Sequence, residues 1–364
     1  MIYANVERTY SVAGQSSPSL FGVAKTAKQL TVNRAFTCGG QNGTWKDCPF
    51  KEIQQAHKTT PSMVCDLARG GQARTLAWRE AIPALFEAVK AAVAAAWRPD
   101  AFHLAFHSSG YDSRIINAAI RQLLDENGPE WLGKGLLFLS NRWEAANFRA
   151  IMQAVGWEPQ YYAAYDEETE DEHFALGLQD IGQTAPLPIP GNLWQYLPKW
   201  VRSKGLLPDS GIQSFCGLWA NEAWSAFLSA PNPWVGYVDT WYGWNCMAAL
   251  PIDAEWQEFP LVATGVLDVL ACTVLSSGNE MRKAVAEYGM PEAKGIANPG
   301  LSDCKHQISD RLRHELDERY RATTFGQTVR WIPPTNSDFS TEWGRYSTAM
   351  LVEKLKEIGV SCIV

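Results

Sequence analysis

Several signatures are missing from this sequence, and each absence removes a class of protein. The eight cysteines, at positions 38, 48, 65, 216, 246, 272, 304 and 362, form no Cys-x-x-Cys pair, so a zinc ribbon or finger has no support. No Gly-Lys-Ser/Thr triplet occurs, and no Gly-x-Gly-x-x-Gly follows a strand, which removes the two commonest phosphate-loop patterns. The longest apolar stretch, Leu261 to Leu275, contains Asp268 and is too short for a membrane span. The first eight residues carry Glu7 and no apolar core of signal-peptide length, so a cytoplasmic protein is expected. Basic excess is missing too. Thirty-two Lys and Arg stand against 39 Asp and Glu, a net charge of −7, which leaves no broad footprint for nucleic acid.

What is present reads as globular. Of 364 residues, 46% are hydrophobic and 20% charged, and 28 glycines with 20 prolines are too few for a fibrous chain. That length suits one large domain or two ordinary ones. Tryptophan is overused, at 16 residues, and eight of these fall between Trp194 and Trp256. Cys38, Cys48, His57 and Cys65 are close enough in sequence to supply four zinc ligands, but their spacing fits no zinc pattern, and free buried thiols are the alternative.

Residues 1–75 are turn-rich and predict an irregular N-terminal segment. From Leu76 to Trp97, Ala81, Leu85, Ala88, Val89, Ala92, Val93 and Ala96 mark one face of a helix. Ala101 to His107 reads as a buried strand, Ile115 to Leu124 as part of a helix, and Gly135 to Leu139 as a second strand. Glu144 to Val155 is a second helix closed by Gly156, and Glu158 to Tyr162 is a third strand. A short fourth strand is expected from Gly205, ending at Pro208-Asp209-Ser210-Gly211, and then a helix from Gly217 to Leu228. Alternating strands and helices predict an α/β fold with a parallel, five-stranded-type sheet flanked by helices. The α/β domain is placed at 76–250 and a helical C-terminal region at 251–364. Asp166 to Glu172 is an acidic run and reads as a solvated loop.

Ser108-Ser109-Gly110-Tyr111-Asp112-Ser113 lies between a strand and a helix. Small residues let backbone N–H groups approach a ligand, and a helix start adds unpaired donors with a positive dipole end. Such a loop suits phosphate. Asp112 conflicts with an anion unless a divalent cation lies between them, and Mg²⁺ bridging a carboxylate and substrate phosphates resolves the conflict. Alternatively Asp112 caps the helix.

This loop resembles the Ser-Gly-Gly-x-Asp-Ser pyrophosphate loop of the PP-loop ATP pyrophosphatases, an adenine nucleotide alpha hydrolase-like fold, with Ser109 in place of the first Gly. Its flanks are similar to the synthetase domain of asparagine synthetases and β-lactam synthetases. Phe138-Leu139-Ser140-Asn141-Arg142-Trp143-Glu144-Ala145 resembles that family's adenosine-binding strand and helix, and Leu206 to Leu218 its second phosphate-side motif. Pro260 to Tyr288 and Met290-Pro291-Glu292-Ala293-Lys294 are similar to its helical C-terminal part. The glutaminase domain of the family is not expected, since Ile2 stands where its Cys nucleophile would be. The family's second motif reads Gly-Ala-Asp-Glu before Phe-Gly-Gly. Aligned on Phe215-Cys216-Gly217, it puts Ile212 at the Asp and Gln213 at the Glu, so Asp209 or Glu222 would have to serve as the second metal carboxylate.

The resemblance implies an ATP-dependent, AMP-forming amide ligase that uses ATP and Mg²⁺. It would adenylate a small-molecule carboxylate, release pyrophosphate and pass the acyl group to ammonia or an amine, the latter supplied free or by a partner protein. Ser108, Ser109, Gly110, Tyr111 and Ser113 would hold the phosphates, Asp112 the Mg²⁺, and Ser140 the adenosine. His107 would reach phosphate or substrate, and Lys294 would face the developing charge. Two alternatives are a degenerate, non-catalytic PP-loop module acting as a nucleotide-binding or scaffold protein, and a nucleobase- or nucleic-acid-modifying relative. The tryptophan-rich stretch 194–256 is expected either to pack between domains or to recognise a planar substrate by stacking.

Overall fold

The computed structural model describes residues 6–17, 20–32, 50–59, 74–107, 110–140, 142–157, 162–164, 201–217, 220–228, 256–297, 310–328 and 349–363. The described residues of the N-terminal segment include regular strands. Strands β1 (Val6–Val12), β2 (Gln15–Ser17) and β4 (Gln54–Thr59) form an antiparallel sheet in the order β2-β1-β4. Val12 pairs with Gln15, and the two residues between them, Ala13 and Gly14, both have positive φ, the geometry of a tight hairpin turn. Helix α1 (Leu20–Ala24) and strand β3 (Gln29–Thr31) follow that hairpin.

The central element is a five-stranded, all-parallel sheet. It comprises β5 (Phe102–Phe106), β6 (Leu136–Ser140), β7 (Tyr162–Ala164), β8 (Ile212–Phe215) and β9 (Trp256–Glu258), ordered β7-β6-β5-β8-β9. The chain steps outward from β5 through β6 to β7, then returns to place β8 on the other side of β5. The fourth strand begins seven residues after its expected start at Gly205. Gly205 and Gly211 take left-handed φ of 73° and 76°, and Leu206 is 52% exposed, so 205–211 is a loop feeding a fully buried strand. The fifth strand comes from the region expected to be only helical, because β9 extends the sheet beyond β8.

The helices are α2 (Trp78–Ala96), α3 (Tyr111–Asn127), α4 (Arg142–Val155), α5 (Ala220–Leu228), α6 (Thr264–Cys272), α7 (Gly278–Gly289), α8 (Asp310–Ala322) and α9 (Thr324–Thr328). A further helical run covers 349–357. In α2, Ala81, Leu85, Phe86, Val89 and Val93 are buried, the i, i+4 stripe that the sequence shows. Gly156 closes α4 at φ 72°, a conformation that costs glycine little. Helix α7 starts where Ser277 accepts a hydrogen bond from the Glu280 N–H, half of a capping box.

Alternate strand residues feed two cores. Ala105, Leu136, Phe138 and Phe215 pack with helices α2 to α7. Leu104, Leu137, Leu139 and Ile212 pack on the other face, against Tyr10, Leu20, Val23 and Leu30 from the start of the chain and Leu351, Val352 and Leu355 from its end. Strand β10 (Ser361–Ile363) pairs in parallel with β3 and ties the two ends together. Among the described residues, no helix is long and apolar enough to cross a membrane.

The sheet buries a histidine at its amino end. His103 is fully buried, stacks on Trp97 at 3.6 Å, and has Nδ1 3.2 Å from the Gly135 carbonyl. Burial lowers its pKa to about 4 from the ordinary 6.5. Between those values the unfolded chain binds a proton that the folded chain refuses. Stability is therefore full above pH 6.5 and falls as pH drops through that window, by about 3 kcal/mol from this group. Urea denaturation at pH 7.5 and pH 4.5 checks this. His103→Phe, which keeps the stack, should flatten the pH dependence by that amount.

Of the tryptophan-rich stretch, Trp224 is fully buried and donates Nε1–H to the Leu261 carbonyl at 2.9 Å. Trp256 lies under the Arg98 guanidinium, 4.1 Å from the ring centroid. Trp194, Trp200, Trp219, Trp234, Trp241 and Trp244 lie outside the described residues, as do Cys38, Cys48, Cys65, the His57 side chain and the acidic run 166–172.

Candidate functional site

A parallel sheet binds ligands beyond the carboxyl ends of its strands, where neighbouring strands lead off in opposite directions. Here that point lies between β5 and β8, since the chain leaves β5 toward β6 and leaves β8 toward β9. Three segments meet there: the start of α3, Cys216-Gly217 after β8, and the start of α7. A Cβ on Gly217 would lie 2.8 Å from the Cβ of Asp112, so glycine is what lets the β8 turn approach the start of α3.

Ser108 and Ser109 lie outside the described residues. His107 extends the β5–β6 ladder through its N–H to the Leu139 carbonyl. Its ring is fully buried against Phe148, and its Nδ1 meets the side-chain amide of Asn117. Burial, and then the nearby Arg114, hold the imidazole well below its usual pKa, so it is neutral. Among the described residues, its Nε2 and the Asn117 Oδ1 are buried without a hydrogen-bond partner. Ser140, at the end of β6, is fully buried beside this ladder.

Helix α3 begins after Gly110, whose extended backbone carries no side-chain cap. Asp112 sits one residue inside the first turn, so it is not the cap. Ser113 donates its only hydroxyl hydrogen to the Gly110 carbonyl at 3.0 Å, so it shapes the turn rather than donating to a ligand. Tyr111 is half-buried and packs on the helical core, with the Arg114 guanidinium 5.6 Å from its ring centroid.

The Asp112 carboxylate is held by Arg282 of α7. Arg282 Nη1 lies 2.8 Å from both Asp112 oxygens. Its Nη2 donates to Asn221 Oδ1 at 2.5 Å and to Asn279 Oδ1 at 3.4 Å, and its Nε to the Gly278 carbonyl at 3.3 Å. Desolvation pushes the Asp112 carboxyl upward against the pull of this guanidinium. The side chains are 25% and 8% exposed, which marks the pair as part-buried rather than a surface bridge.

These donors do not fit Mg²⁺. The ion demands several oxygen ligands in octahedral array, and here the carboxylate and both asparagine oxygens face a guanidinium. Among the described residues, no group of three or more His, Cys, Asp and Glu side chains can hold a metal. Asp209 is exposed in the loop before β8, at the opposite end of the sheet from Asp112, so it is not the second ligand. Glu222 lies on α5, but its side chain is outside the described residues. Ile212 and Gln213 lie inside β8, and Gln213 is spent on the Ala96 carbonyl, the Arg98 N–H and Glu258 at the amino end of the sheet. The first helical residues described after β8 are Ala220-Asn221-Glu222, with the neutral Asn221 on Arg282.

Lys294 follows a short turn, Pro291–Ala293, and is exposed. Its segment is strapped along α3. Arg121 pairs with Glu292 at 2.9 Å, and the buried Arg114 donates to the Ile296 and Ala297 carbonyls at 2.9 and 2.7 Å. The two arginines are seven residues apart, on one stripe of α3. They set Lys294 alongside the helix that the loop opens. Arg282, Arg114 and Asn221 were not among the residues singled out from sequence. The capping pattern Ser277-Gly278-Asn279-Glu280 marks where α7 starts, but nothing in it says which way Arg282 points. Neither a protein-family model nor a curated protein matches the chain.

Proposed function

We propose that the chain is an ATP-dependent ligase that adenylates a carboxylate, releases pyrophosphate and forms an amide with ammonia or an amine. The observation that supports this most is the placement of Gly110-Tyr111-Asp112-Ser113 at the switch point of a parallel β7-β6-β5-β8-β9 sheet, with the Lys294 segment strapped beside it. In the reaction, a carboxylate oxygen attacks the α-phosphorus and the α–β phosphoanhydride bond breaks, expelling pyrophosphate. The amine nitrogen then attacks the acyl carbon, the bond to AMP breaks, and a proton leaves the nitrogen. The protein's part is positioning and charge stabilisation. The N–H groups at the start of α3, with Ser108 and Ser109, hold the β,γ-phosphates, and Lys294 faces the charge that develops on the phosphoryl oxygens. His107 and Ser140, both fully buried, stand at the carboxyl ends of β5 and β6 behind this loop.

The binding of Asp112 by Arg282 favours a second reading, a PP-loop module that binds nucleotide without turning it over. One experiment separates the two. Pyrophosphate release from ATP is measured against a panel of carboxylic acids and amines, with calorimetry of ATP binding alongside. The ligase reading expects pyrophosphate and AMP, with the rate lowered at least about 100-fold in Lys294→Ala, which removes the cation facing the developing charge. ATP binding without turnover on any acid supports the module. Release of ADP and phosphate sinks the ligase reading.

A further inference from the structure

We propose that Arg282 is the resident cation of this site, and that its guanidinium, rather than a divalent metal, neutralises Asp112 beside the loop. The phosphate half of the inference rests on the reading of the loop given above; the assignment of the cation does not.

The geometry carries the assignment. A guanidinium has three nitrogens that donate, and each one in Arg282 faces an acceptor: Nη1 the two oxygens of Asp112, Nη2 the oxygens of Asn221 and Asn279, and Nε the Gly278 carbonyl. Those acceptors come from α3, α5 and the first turn of α7, so the cation is built into the junction of three helices. Its side chain is 8% exposed, which leaves little room to swing aside for an incoming ion. Charge points the same way. Among the described residues, one carboxylate meets one guanidinium, and the other side-chain partners of Arg282 are neutral amides. A divalent ion added here would share a single carboxylate with an arginine already in place, leaving excess positive charge in a part-buried cluster. The conflict between a carboxylate and a phosphate at one loop is thus resolved within the chain. With Asp112 neutralised, the N–H groups that open α3 can receive an anion without a metal on that carboxylate.

The test uses the full chain. Mn²⁺, a probe for a magnesium-type site, is titrated by electron paramagnetic resonance with and without ATP, in wild type and in Asp112→Asn. Pyrophosphate is titrated by calorimetry in EDTA and in Mg²⁺. Thermal melts follow Arg282→Met, Asp112→Asn and the double variant. The assignment expects no Mn²⁺ that Asp112→Asn releases. It also expects pyrophosphate to bind in EDTA, with no metal present. Arg282→Met should lower Tm, and adding Asp112→Asn should restore part of the loss, because no carboxylate is then left unpaired. Mn²⁺ bound equally by both chains is bound elsewhere and supports the assignment. Mn²⁺ held by wild type and lost in Asp112→Asn overturns it, a result that needs no folded Arg282 variant. Absence of pyrophosphate binding in either buffer sinks the phosphate reading of the loop, and Mn²⁺ then decides the cation alone.

Discussion

Trp224→Ala is expected to destabilise the chain by about 3–5 kcal/mol. The indole is the largest fully buried side chain among the described residues, on the face of α5 that packs with Leu261 and α6. Its removal opens a cavity between helices that cannot close without shifting α5, and it orphans the Leu261 carbonyl, which now accepts Nε1–H at 2.9 Å. Because Asn221 lies on the same helix as Trp224, the shift also reaches the Arg282 cluster. Urea denaturation measures the loss. Trp224→Phe, which keeps most of the volume and loses the hydrogen bond, should cost only about 1–2 kcal/mol. If alanine and phenylalanine cost the same, the cavity argument fails.

Arg114→Met is expected to cost about 3–5 kcal/mol, because two hydrogen bonds from a buried cation to backbone carbonyls are lost at once. Methionine keeps the apolar stem, so the loss reports the polar contacts rather than packing. The consequence is local as well. Without the hold on Ile296 and Ala297, the residues after the buried Ala293 lose their tie to α3, and the Arg121–Glu292 pair before them, with its part-exposed partners, contributes little. Amide exchange across 294–297 should then speed up, while β5 and β6 stay protected. Unchanged exchange in that segment would mean that Arg114 does not hold it.

The sheet was the most legible part of the fold, since buried runs such as Leu136–Ser140 and helical stripes such as Ala81-Leu85-Val89 repeat with clear periods. The hairpin at Ala13-Gly14 was missed because its strands are polar, and Ala13 does not advertise positive φ. The fourth strand was misplaced because Gly205-Leu206-Leu207 looks as apolar as Ile212–Phe215, and only burial separates them. At the site, the loop was visible because small residues and a carboxylate cluster within six positions. Arg282 was not, because it comes from 170 residues away and only the packing of α7 on α3 brings it there. Charged residues on an amphipathic helix read as solvated surface until the fold gives one of them a partner.

The inner face of the central sheet that carries Leu104, Leu137 and Leu139 is covered by segments from both ends of the chain. During synthesis this sets a waiting time. β6 is complete at Ser140, but its final cover includes Leu351 to Leu355 and is fastened by β10 at 361–363. At about 5–20 residues per second, that apolar face waits on the order of 10–45 seconds for its partners. A nascent chain of this protein is therefore expected to need a chaperone for far longer than its finished form would suggest, and truncation before residue 349 should yield insoluble protein even though the candidate site is already encoded.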